Sequence, residues 1–81
     1  MKKTNLKMSL DESASLYILL GNLRTLEKFA IASDNDLQYK IDFLIEMVYD
    51  LQEDDKPCRD FIYYISNKVD FITSQLIEQY K

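Results

Sequence analysis

The sequence predicts an all-α fold, an antiparallel up-down-up three-helix bundle that dimerises, and three features of the chain support this. Glycine and proline occur once each in 81 residues, whereas strand-based folds need turn residues every few positions. Apolar residues recur three and four apart through three long stretches, the period of one helix face. Two short polar breaks, Ser33-Asp34-Asn35-Asp36 and Glu53-Asp54-Asp55-Lys56-Pro57, separate those stretches. Connections that short force neighbouring helices to run antiparallel.

The chain reads as one domain over residues 1–81, with a flexible basic tail at 1–8 and helices at about 10–32, 36–53 and 57–80. Ser9 is placed to cap the first helix, and Glu12 three residues on completes a capping box. Leu16, Leu19, Leu23, Leu26 and Ala30 then form a single seam. Gly21 lies off that seam, where a missing side chain allows close approach on another face. Ser33 or Asp34 caps the second helix. Its seam is Leu37, Ile41, Leu44, Val48 and Leu51, widened by Ile45. Pro57, with fixed φ and no N–H, suits the first turn of the third helix. There the seam is Cys58, Ile62, Ile65, Val69, Ile72 and Leu76.

The seams leave a surplus. Ile18 and Phe29 fall opposite the first seam; Phe43 and Met47 flank the second; Phe61, Tyr64 and Phe71 form a row beside the third. Contiguous apolar patches usually mark interfaces, where aromatics and Met are enriched. These seven residues are the expected apolar interface. A core this small gains from a second subunit, so a homo-oligomer is expected.

Charge gives a second surface. The formal net charge is −4, from 14 acids and 10 bases. Residues 34–55 hold eight acids against Lys40, while residues 1–7 carry Lys2, Lys3 and Lys7 without an acid. Asp42, Glu46, Asp50 and Glu53 share one stripe of the second helix, flanked by Tyr39 and Tyr49, an acidic face suited to Arg or Lys side chains. An acidic middle repels phosphate backbones and anionic lipid, so neither nucleic acid nor a membrane is an expected partner.

Chemistry is narrowly bounded. Histidine is absent, which removes the commonest general base and metal ligand. Cys58 is the only cysteine, so no internal disulfide and no Cys/His zinc site can form within one chain. Gly21 is mid-helix, so there is no glycine-rich phosphate loop. A calcium loop starting at Asp34 fails, with Tyr39 where glycine and Ile45 where glutamate would stand. No cofactor, metal or catalytic residue is expected. Near Lys2 and Lys3 the apolar run Leu16–Leu20 is five residues long, too short for a signal peptide core or a membrane span. A cytoplasmic protein with a thiol is the expectation. Together these readings point to a non-enzymatic regulatory or adaptor protein that binds a protein partner, as a homodimer. An inhibitor or immunity-type protein, possibly a nucleic-acid mimic, using the acidic face against a basic target is the alternative.

Overall fold

A computed structural model describes residues 6–30 and 35–79. It contains three helices, α1 (Leu10–Ala30), α2 (Asn35–Asp54) and α3 (Arg59–Gln79), and no strand among the described residues. The expected cap of α2 at Ser33 or Asp34, most of the basic tail, and the helix ends expected at residues 32 and 80 lie outside the described residues.

Each helix end has a local cause. Before α1, the Ser9 N–H donates to Glu12 Oε1 at 2.9 Å and the Glu12 N–H donates to Ser9 Oγ at 3.1 Å. Two amide donors that the helix itself cannot satisfy are thereby satisfied reciprocally. α2 ends where Asp55 turns to φ 54°, its N–H still donating to the Leu51 carbonyl at 3.2 Å. A left-handed residue there stops the helix and is usually glycine, because a Cβ is strained in that region.

α3 starts later than its sequence suggests. The Ile62 N–H donates to the Cys58 carbonyl at 2.9 Å, which makes Cys58 the cap and leaves Pro57 outside the helix. Proline disfavours helical backbone at Lys56, and the Cys58 N–H has a partner outside its own helix. That partner is Glu12, whose Oε2 accepts it at 2.7 Å.

The three seams meet in one core. Buried are Leu16, Leu19, Leu23, Leu26 and Ala30 of α1; Leu37, Ile41, Leu44, Ile45 and Val48 of α2; and Cys58, Ile65, Val69, Ile72 and Leu76 around α3. Leu51 and Ile62 are half-buried against it, as are Met8, Leu20 and Met47. No polar or charged residue is buried among the described residues. α1 packs against both α2 and α3, whereas α2 and α3 touch each other little. A further bond, from the Met8 N–H to the Asp55 carbonyl at 3.1 Å, joins the start of α1 to the end of α2.

Leu23 has no exposed surface. Replacing it with alanine should cost about 2–5 kcal/mol, as much as a domain of this size has to lose. Circular dichroism should show Leu23→Ala largely unfolded at room temperature. Asp55→Gly should instead stabilise the fold by up to about 1 kcal/mol through relief of the left-handed strain, read as a higher denaturant midpoint.

Candidate functional site

α2 and α3 both pack on α1 and touch each other little, and the space between those two helices is an open groove of about 350 Å³. Its floor is Leu44 and Ile72, two core residues. Tyr39 and Phe43, one turn apart on α2, form one wall. Tyr64 and Phe71 on α3 form the other. All four rings are exposed, Tyr39 by 74% and Phe71 by 57%. Large rings this open are not core residues of the isolated chain; they are available for contact.

Two lysines line the same groove. Lys40 reaches back one turn to Asp36, with Nζ 3.3 Å from Oδ2, both groups well exposed. Lys68 stands over the Tyr64 ring, its ammonium 5.4 Å from the centroid, a cation–π contact. The charged groups of the lining are therefore two ammonium groups, one of them paired with Asp36.

The residues marked in the sequence as apolar interface divide among three places. Phe43, Tyr64 and Phe71 come together in the groove. Phe61 lies instead in a hollow with Ser9, Glu12, Pro57, Cys58, Arg59 and Asp60, at the start of α3. Ile18 and Phe29 are exposed on α1, away from its buried seam. Met47 is largely taken up by packing on the core.

The acidic face is divided as well. Asp42, Glu46, Asp50 and Glu53 are exposed on α2. Tyr49, however, is already engaged by a cation from within the chain. The Arg24 guanidinium of α1 donates a hydrogen bond to the Tyr49 hydroxyl and lies 5.8 Å from its ring centroid. Tyr39 belongs to the groove wall. What remains is a carboxylate stripe without its two flanking aromatics.

Several exposed apolar residues carried no sequence signal. Leu10, Tyr17, Tyr63 and Ile77 all stand in solvent. Tyr39 was legible only as a neighbour of the acids, because its partners Tyr64 and Phe71 are 25 and 32 positions away. Gly21 faces open space, with nothing within 4 Å of where a Cβ would stand.

The hollow at Glu12 and Cys58 is a structural junction. The Glu12 carboxylate accepts the Ser9 and Cys58 N–H groups, which hold its pKa below the ordinary 4.5; the Ser9 hydroxyl and the Arg59 charge add to this. Burial, reinforced by the Glu12 charge, pushes the Cys58 thiol above its ordinary 9.0. A raised thiol pKa leaves little thiolate, the reactive form, at neutral pH. Among the described residues no group of three or more His, Cys, Asp or Glu converges on a possible metal site. None of the described helices is long and apolar enough to cross a membrane.

Three helices on a single core, with an aromatic groove between α2 and α3, describe the class to which this chain's fold belongs. No family model, no curated protein and no solved structure matches the chain.

Because the folded-state pKa of Glu12 is lowered, its contribution to stability is complete above the ordinary 4.5 and disappears as pH falls through the lowered value. Glu12→Gln, whose amide offers one acceptor oxygen in place of two, should lower the melting temperature at pH 7. The gap to the native chain should narrow steadily below pH 4.5; a gap still constant at pH 3, on the order of a unit or more lower, would contradict the assignment. Cys58, 4% exposed, should react slowly with a disulfide-exchange reagent in buffer and promptly in denaturant.

Proposed function

We propose that this is a non-enzymatic regulatory or adaptor protein that binds another protein through the groove between α2 and α3. The observation that carries the reading is the cluster of exposed rings there, Tyr39, Phe43, Tyr64 and Phe71. Aromatic side chains supply most of the contact energy of typical interfaces and are seldom left clustered in water.

The same proposal takes the helices to run up-down-up, as an antiparallel bundle. In support, the start of α1 bonds to both the end of α2 and the start of α3. The groove also unites the first half of α2 with the middle of α3, in keeping with opposed directions. Homodimerisation is the second part of the proposal. The exposed side of α1, with Ile18, Phe29 and the bare backbone at Gly21, offers a second copy an apolar strip that a helix can approach closely. The cytoplasm is the compartment proposed for a chain with one buried, unpaired thiol.

The alternative, an inhibitor acting through the carboxylates Asp42, Glu46, Asp50 and Glu53, is favoured by their exposure. Salt separates the two. A complex held by those acids should weaken steeply with ionic strength, and an apolar one should not.

A Phe43→Ser/Phe71→Ser variant should remain helical and keep its stability to within about 1 kcal/mol, since both rings are largely exposed. It should also lose most of the fluorescence of an apolar-surface dye that the native chain binds. Unfolding of the variant would make the rings core residues and end the proposal. Sedimentation equilibrium should show the native chain dimerising and Ile18→Glu remaining monomeric; a native chain that is monomeric at every concentration removes the dimer.

A further inference from the structure

We infer that the groove between α2 and α3 takes an acidic amphipathic helix of a partner protein, one whose apolar stripe is flanked by Asp or Glu. The inference rests on the reading of the groove as a protein-binding site and names the chemistry of its occupant.

The first argument is charge. α2 and α3 contain two lysines, Lys40 and Lys68, and nine carboxylates. Both lysines line the groove and none of the nine acids does. Asp42, Glu46 and Glu53 lie more than a quarter-turn round α2 from Lys40, whereas Asp36 pairs with Lys40 and Asp50 lies about two turns beyond Phe43, past the end of the lining. In a protein with net charge −4, the charged side chains that line this groove are thus both ammonium groups, one of them paired with Asp36 at its edge. Lys68 has a ring beneath it and no carboxylate partner among the described residues. Lys40 is held only by an exposed pair one turn away, an interaction worth little. Either ammonium can turn to an incoming carboxylate at small cost.

The second argument is shape. α1 touches both other helices while these hardly touch each other, so the side opposite α1 is the vacant fourth position of a four-helix bundle. The lining runs from Tyr64 to Ile72 on α3, which is roughly 12 Å at 1.5 Å per residue. That length accommodates the i, i+3/i+4 and i+7 side chains with which a helix anchors itself in a groove.

Charge also excludes the nearest competitors. Two copies meeting groove to groove would bring four lysines onto a shared face, where Asp36 pairs with Lys40 and Lys68 has no carboxylate partner among the described residues. The chain's own first residues carry Lys2, Lys3 and Lys7 and would meet the same repulsion. An anionic single-chain amphiphile satisfies the charge but leaves the helix-shaped seat half filled.

The chain has no tryptophan, so a Trp-labelled peptide reports binding without background. Two synthetic amphipathic peptides of about four helical turns, sharing one Leu/Trp stripe and flanked by Glu or by Lys, would be titrated against the full chain. The Glu-flanked peptide should bind about ten-fold more tightly than the Lys-flanked one, from two added ion pairs. Lys40→Glu/Lys68→Glu should reverse that order, and Phe43→Ser/Phe71→Ser should abolish both. Equal affinities, a preference for the Lys-flanked peptide, or no change of order in the double-lysine variant would overturn the acidic occupant while leaving the groove a protein-binding site. Failure of both peptides alongside binding of a medium-chain fatty acid lost in Phe43→Ser/Phe71→Ser would overturn the helix in favour of an amphiphile. Failure of every probe, with no dye binding by the native chain, would remove the groove reading itself.

Discussion

The leucine seam of α1 has to serve two helices at once, and most of the molecule's character follows from that constraint. Leu16, Leu23 and Ala30 have no exposed surface, because α2 and α3 close over the seam from both sides. A helix presents an apolar stripe of about a third of its circumference. When that stripe is shared, the two neighbours pack on α1 far more than on each other. Ring-bearing positions on their flanks, Phe43 and Phe71 among them, are then left along an open groove and not driven into the core.

The junction at Glu12 fixes the other end of this arrangement. One carboxylate accepts an N–H at the start of α1 and another at the start of α3. Each amide lies at the positive end of a helix dipole, where an anion is favourable. The Met8–Asp55 bond ties α2 into the same corner. Polar groups thus organise one end of the molecule, and apolar contacts organise its length.

The proposed function grows from what this geometry leaves unsatisfied. Asp42, Glu46 and Glu53 occupy the outer side of α2, whereas the charged groups lining the groove are Lys40, paired with Asp36, and Lys68, so the two sides of α2 differ in charge. Such a division matters more for choosing a partner than for holding one, because exposed charges set specificity and encounter while buried rings set strength. The raised thiol of Cys58 and the lowered carboxyl of Glu12 are explained by hydrogen bonding and burial at a helix junction, which gives both a structural role.

The helices, their seams and the Ser9–Glu12 box could be read from the chain, because each depends on residues three or four apart and helix geometry converts that spacing directly into contact. Fourteen of the buried side chains belong to the periodic rows, with Ile45 at their margin. The surplus rings could be counted in the same way, but not sorted. Whether Phe43 meets Phe71, or Tyr49 meets Arg24, depends on how far each helix rotates about its axis and which neighbours it faces, and local spacing carries no such information. The start of α3 illustrates the limit. Proline at position 57 is compatible with a first helical turn, but in the structure Cys58 is the cap, its N–H taken by the Glu12 carboxylate 46 residues away. The sequence by itself determined which faces are apolar; the tertiary structure decided which of them are covered, since burial is settled between helices and periodicity within them.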